Sequence, residues 1–283
     1  MSRSVATVEF SVNVSMLYAE APFLERFACA AAAGFGAVEF WWPREEDPGE
    51  VAFAVRDAGL RTVVLNFDAG DMAAGDRGLL SDPDRQATFR ENVPVALDLA
   101  AALDCRRLNA LVGVRLAEHP PEDQLALAVE NVRFAADRAA RQGADVLIEA
   151  VNTFENGPYL IARTADAADF IRRVDRPNVR LQYDAYHMQR MEGDLAANLR
   201  RHIADIAHVQ IADSPDRHEP GTGELNFRYL LGVLGELGYD GYIGLEYKPR
   251  ADTERGLEWL PREQRSGRID PAAALPATRE AVA

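Results

Sequence analysis

Residues 178–194 read NVRLQYDAYHMQRMEGD. Val179, Leu181 and Tyr183 alternate with polar side chains, as a strand requires, and then Asp184 stands at the tip. Aspartate is a poor strand residue and is rarely buried without a partner. Either the strand ends there in a solvated turn, or something beyond the tip needs a carboxylate. The same phrase, a short apolar run closed by a polar side chain, recurs along the chain. VLIE ends at Glu149, HVQIAD carries Gln210 and IGLE ends at Glu246.

These recurrences decide the architecture. Strand-like runs fall at Val8–Val12, Ala37–Phe40, Thr62–Asn66, Arg107–Leu111, Val146–Glu149, Val179–Asp184, Ile206–Ile211 and Ile243–Glu246. Segments of helical period lie between them, at Pro22–Ala33, Asp84–Leu103, Glu122–Arg141, Thr164–Val174 and Asn226–Leu237, with a closing helical segment near Thr253–Leu260. Gly34, Gly59, Gly143 and Gly238 each follow a helical pattern, where a left-handed cap is needed. Strands alternating with helices imply parallel pairing, and eight such repeats predict an α/β fold, a (β/α)8 TIM barrel. A doubly wound open sheet fits less well, because no G-x-G-x-x-G follows the first strand. The barrel is expected to be one domain over residues 1–261. Residues 262–283 are Ala/Pro/Arg-rich and read as a tail, either disordered or an arm of a homo-oligomer.

The chain has 283 residues, 48% of them hydrophobic, enough for a large core. Its 31 basic and 45 acidic residues leave a net charge of −14. Such a surface repels phosphate backbones, so no nucleic-acid partner is expected. A small anionic substrate stays compatible where a few basic residues converge. Cys29 and Cys105 lie in apolar segments without metal-type spacing, which fits a reduced, cytoplasmic compartment. The opening MSRSVATVEFSVNVSML lacks the apolar core of a signal peptide, and no run is long enough to span a membrane.

Glu149, Asp184, Gln210 and Glu246 are spaced by 35, 26 and 36 residues. One unit of an eight-fold barrel is about 31 residues (roughly 250 over eight), so these side chains end four successive strands and face one C-terminal mouth. Three carboxylates and an amide oxygen suit a hard divalent metal ion, Mg²⁺ or Mn²⁺. Without a cation the three acids repel, and at least one keeps its proton. A metal flanked by two glutamates suits an α-hydroxy carbonyl compound, with the ion stabilising the enediolate. One glutamate then removes a carbon-bound proton and the other returns one. Glu149 and Glu246 are the expected catalytic pair, for isomerisation or epimerisation of a sugar-like molecule.

The runs FSVNVSMLY, GFGAVEF, DAGDMAAGDRG, LIEAVN, QYDAYHMQRMEGD, HVQIADSPDRHEPGTGELN and GYIGLEYKP closely resemble the hydroxypyruvate isomerase family, within the xylose-isomerase-like barrels. The similarity runs in order from about Phe10 to Trp259. It implies reversible conversion of hydroxypyruvate and tartronate semialdehyde (2-hydroxy-3-oxopropanoate). It also implies metal ligands at Glu149, Asp184, Gln210 and Glu246. Related ketose 3-epimerases carry histidine at the position of Gln210, so the glutamine points to the hydroxypyruvate branch. Some close relatives isomerise 2-oxotetronates (2-dehydrotetronate), and that substrate stays open, as does a ketose 3-epimerase. LNFDAGD departs from the LPAGD run of several relatives, which leaves the role of Asp68 open.

His187 reads either as a helix-capping loop residue or as a donor to the substrate oxygen, and the resemblance favours the donor. Arg217 lies in a Gly/Pro-rich loop after the seventh strand and is expected to face the substrate or Glu246. Lys248 and Arg190 are further candidates for the substrate carboxylate. GTGE at 221–224 lacks the GK[ST] ending of a phosphate loop and reads as a turn. Asp71, Asp76 and Arg77 form either capped turns or a lid over the mouth. Trp41-Trp42-Pro43 reads as a wall of the mouth, and Phe40 and Met188 as packing. Two other classes weigh less. A phosphodiester-cleaving endonuclease of this fold family uses a histidine-rich trinuclear zinc site, and this chain has five histidines. A non-catalytic binding barrel would have no use for the glutamate pair.

Overall fold

Eight short strands, none longer than six residues, carry the architecture. They are β1 (Glu9–Asn13), β2 (Ala37–Phe40), β3 (Arg61–Asn66), β4 (Arg107–Asn109), β5 (Asp145–Glu149), β6 (Val179–Asp184), β7 (Ile206–Ile211) and β8 (Tyr242–Leu245). In this computed structural model, which describes residues 7–271, they pair in parallel in sequence order, and β8 pairs back onto β1 to close a barrel. The register places Asp184 beside Gln210 across β6 and β7, and Glu149 beside Gln182 across β5 and β6. Strand-end side chains from neighbouring strands therefore share one level at the mouth.

The outer ring holds α1 (Arg26–Ala32), α2 (Pro48–Asp57), α3 (Gln86–Ala102), α4 (Pro121–Ala139), α6 (Thr164–Val174), α8 (Leu195–His202) and α9 (Phe227–Glu236). The shorter α5 (Thr153–Asn156), α7 (Ala185–Met191) and α10 (Thr253–Gly256) follow β5, β6 and β8 at the mouth side. In α4 the buried side chains Ala128, Val129, Val132, Ala135, Ala136 and Ala139 form one stripe, which packs on the sheet. Gly34, Gly59, Gly143 and Gly238 all take positive φ, as their places after the helices require. Ahead of β4 and β6 the same left-handed bend is made by Asp104 and Asp175 instead, since a short polar side chain tolerates it.

The barrel interior departs from the usual layers of branched apolar side chains. Ser11, His208 and Gln210 all hydrogen-bond to the carboxylate of Glu39, at 2.8, 2.8 and 2.7 Å, and Glu39 is 1% exposed. Gly244 on β8 makes room for it: a Cβ there would stand 2.5 Å from Glu39 Oε2. Most of the apolar core lies between strands and helices, and a smaller cluster of Ala37, Val63, Val64 and Leu147 stands apart from it. Phe23, Phe27 and Phe40 meet edge to face in the larger core, and Met188 is buried with them there.

Composition sets a tail from residue 262, yet its described part folds onto the barrel floor. The Arg265 guanidinium, on a residue 8% exposed, donates to the carbonyls of Leu257, Leu260 and Ala33. Ile269 then pairs antiparallel with Val8. An arginine that reads as solvent-seeking instead closes three backbone acceptors, so packed chain continues to Pro271. Residues 272–283 of the expected tail lie outside the described residues.

Candidate active site

Asp184 ends β6 and starts α7 in one step. Its Oδ1 accepts from the backbone N–H groups of Tyr186 (2.8 Å) and His187 (3.3 Å), which caps the helix. Its Oδ2 is buried and has no hydrogen-bond partner, although His187 Nε2 and Arg217 NH2 each stand 3.5 Å away. A buried carboxylate oxygen without a partner is costly and calls for a counter-charge.

Glu149 and Glu246 flank it. Glu149 accepts from Asn109 (2.7 Å) and from Gln182 (3.0 Å), and its Oε1 lies 3.7 Å from His187 Nε2. Glu246 accepts from Asn13 (3.0 Å), the Trp41 indole (2.9 Å) and Arg217 (2.5 Å). Both glutamates are 5% exposed. Burial, reinforced by repulsion from Glu246 and Asp184, holds the Glu149 carboxyl well above the usual carboxylate range. Burial likewise pushes Glu246 up to about 7, with Arg217 pulling the other way. Two facing acids of raised proton affinity are suited to proton transfer.

His187 takes its role from a neighbour. Asn152 caps α5 by accepting from Phe154 and Glu155 through Oδ1, which turns its Nδ2 towards His187 Nδ1 at 2.7 Å. An amide nitrogen only donates, so Nδ1 accepts and Nε2 keeps the proton. Burial lowers the imidazole pKa to about 4, which keeps it neutral. His187 Nε2 lies within 4.8 Å of oxygens of Glu149 and Asp184, close enough to share a cation. The Asn152 contact makes it a donor instead, facing the mouth.

Gln210 lies beneath this cluster. Its Nε2 donates to Glu39, an acceptor-only group, which turns Oε1 towards Gln182 at 2.7 Å. Gln182 Nε2 links that oxygen to Glu149. Arg217 comes from the loop after β7, which Asp213 organises: five backbone N–H groups, of Ser214, Gly221, Thr222, Gly223 and Leu225, point at its carboxylate. Arg217 itself takes φ 59° and stacks over the Tyr186 ring.

The structure thus gathers Glu149, Asp184, Glu246, His187 and Arg217, with Gln210 one amide below. It does not bring Lys248 in: that side chain is exposed, and only its backbone serves the site, by holding the Arg217 carbonyl. Arg190 stacks on Phe154. Asp71 and Asp76 cap turns, whereas Arg77 from the same loop lines the cavity with Trp41, Asn66, Met72, Tyr159 and Asn156. Sequence reading missed Glu39, Gln182, Asn109 and Asn13. An acid in the middle of AVEF and asparagines closing β1 and β4 were the available signals, since both types are poor in strands.

A closed parallel barrel with buried acids at its mouth is the architecture of the xylose isomerase-like TIM barrel family, to which the chain belongs over residues 27–263. Within that family it is an isomerase of the hydroxypyruvate isomerase kind. It is 45% identical to 2-oxo-tetronate isomerase of Cupriavidus necator, over 89% of this chain and 96% of that one. It is 42% identical to hydroxypyruvate isomerase of Escherichia coli, over 89% and 98%. A solved AP endonuclease, family 2, from Brucella melitensis superposes with TM-score 0.85 at 44% identity, over 89% and 97%. Among the described residues no helix is long and apolar enough to cross a membrane.

Proposed function

We propose that the chain interconverts hydroxypyruvate and 2-hydroxy-3-oxopropanoate by proton transfer through an enediolate, with Glu149 and Glu246 as the acid/base pair. The observation that carries this is the pair itself: two buried glutamates of raised proton affinity facing one cavity, with the unpartnered Asp184 Oδ2 beside them. Relatives named for hydroxypyruvate and for 2-oxo-tetronate support the same chemistry on either acid.

The donor set fits a hard divalent cation, Mg²⁺ or Mn²⁺: Glu149 and Asp184, which lie close together, would hold it, with Glu246 and the Gln210 oxygen, which accepts from Gln182, completing the set. When bound, such an ion supplies Lewis-acid polarisation of the substrate carbonyl. One glutamate takes the proton from the hydroxymethyl carbon, and the other delivers one to the neighbouring carbon. The hydroxyl proton passes between the two oxygens, so atoms balance without an oxidant. His187 Nε2–H donates to a substrate oxygen, and Arg217 holds Glu246 in place. Trp41 and Tyr159 wall the cavity against water.

Product NMR in D₂O, with hydroxypyruvate, a 2-oxotetronate and a ketose, with and without chelator, tests this. Chelator-sensitive conversion of a hydroxy-oxo acid with deuterium at the newly protonated carbon is the expected result. Inversion at C3 of a ketose with no turnover of either acid overturns it.

A further inference from the structure

We propose that Arg77 is the residue that binds the substrate's carboxylate, and so selects hydroxy-oxo acids over neutral sugars. This deepens the reading above and rests on it.

Two arginines line the cavity, Arg77 and Arg217. Arg217 is committed, since its NH2 lies 2.5 Å from Glu246 and 3.5 Å from Asp184. Arg77 differs in kind. Its Nε donates to the Asn156 amide oxygen at 2.7 Å, and its NH1 to the carbonyls of Met72 (2.9 Å) and Asp76 (2.6 Å). All three acceptors are neutral. Among the described residues no carboxylate lies within ion-pair distance of Arg77, although the chain carries 45 acidic residues. A guanidinium fixed by neutral acceptors keeps its charge uncompensated, and its NH2 is not used by those bonds. The two N–H groups of that NH2 remain as charged donors for a carboxylate.

The loop around it is braced rather than loose. Asp76 Oδ2 accepts from the Asp71 N–H (2.7 Å) and from Arg85 (2.8 Å). Gly78, at φ 120°, presses its backbone against β4's outlet, where a Cβ would stand 2.1 Å from the Leu111 carbonyl oxygen. Asn156, which holds Arg77 Nε, is itself tied to the Asn152 carbonyl at 3.1 Å. Asn152 also orients His187, so one asparagine connects the anion-binding arginine to the donor facing the reacting oxygens.

The chemistry of the substrate explains the need. In hydroxypyruvate the carboxylate does not react; it is a handle beside the two carbons that do. Acids cluster at one end of the cavity and would repel an anion presented to them. A cation on the loop after β3 gives the carboxylate a place apart from those acids and fixes which carbon meets the glutamates. A ketose lacks this group and would leave Arg77 uncompensated.

Arg77→Met and Arg77→Lys test this with hydroxypyruvate and with dihydroxyacetone, in which a hydroxymethyl replaces the carboxylate. For Arg77→Met, KM for hydroxypyruvate rises roughly 10- to 100-fold, the range for a hydrogen bond to a charged group, while kcat falls less and KM for dihydroxyacetone stays within twofold. Arg77→Lys keeps the charge but not the planar guanidinium that Asn156, Met72 and Asp76 hold in place, and recovers part of the loss. Unchanged KM and unchanged preference for the acid, in variants with wild-type melting temperature, overturn the inference. If Arg77→Met does not fold, the same comparison on Arg77→Lys decides. A wild-type enzyme inert to every hydroxy-oxo acid instead refutes the proposed function, so the two failures are distinguishable.

Discussion

The two halves of the barrel mouth are built from different chemistry. Strands β5, β6 and β8 deliver Glu149, Asp184 and Glu246, and β7 delivers Gln210. Strands β1 and β4 end in Asn13 and Asn109, beside β8 and β5, and Trp41 follows β2; all three donate to the glutamates of the other half. Neutral donors steer a carboxylate without discharging it, so the glutamates stay oriented yet free to exchange a proton. Arginines in the same places would lower the proton affinity of both acids. One half supplies charge and the other sets its direction.

Replacing the charge is expected to cost most. Glu149→Gln or Glu246→Gln should reduce exchange of the substrate's carbon-bound proton with solvent by roughly 10²–10⁴-fold, the usual share of general acid–base catalysis. NMR of the exchange checks it, and full exchange in either variant removes the assignment. Altering only the direction costs less: Asn109→Leu should lower kcat roughly tenfold, within the range for a hydrogen bond to a charged group. It should also move the acid limb of the pH profile upwards, because Asn109 is one of the groups holding the Glu149 pKa down. A larger loss in this variant than in Glu149→Gln would reverse the division of labour.

The charged half carries a pH signature of its own. Glu246 rises from an ordinary 4.5 to about 7, and Glu149 shifts in the same direction. Raised folded-state values favour the protonated forms, so their stabilisation is complete below about pH 4.5 and is lost as pH rises through 7. Cation-free protein should therefore melt progressively lower from pH 5 to 8, and added Mg²⁺ should flatten that slope by replacing the protons. Calorimetry over this range, with and without chelator, decides it; a slope indifferent to Mg²⁺ counts against the cation site.

Glu39 is the exception, an acid on the steering half, and it gives the smallest effect. Gly244→Ala places a methyl 2.5 Å from Glu39 Oε2 and should cost about 1–3 kcal/mol in urea unfolding, as overpacking does. Tolerance of alanine would mean that Glu39 is free to move, and that Gln210's orientation is set elsewhere.

The charged half was legible and the steering half was not. Acids closing apolar runs at barrel spacing stand out against strand chemistry, and Glu149, Asp184 and Glu246 follow from that contrast alone. Asn13 and Asn109 close strands too, but asparagine is equally at home in a turn. Glu39, His208 and Gln182 form a network only because their strands face inwards together, and alternation by itself does not say which face is inside. Helix α2 carries its signal in Asp47-Pro48, a capping aspartate before a first-turn proline, rather than in its apolar spacing. Lys248 differs: it stands two residues past Glu246, beyond the last strand residue Leu245, where strand alternation no longer fixes the direction of a side chain.

The Val8–Ile269 pairing on the floor has a practical side. It brings the two ends of the described chain together at the face opposite the glutamates, with the whole height of the barrel between. A probe attached beside Val8 or Ile269 starts from the floor and leaves the route to the mouth clear. For an enzyme whose chemistry hangs on side chains at the other rim, the sealed floor is the place to take hold of it.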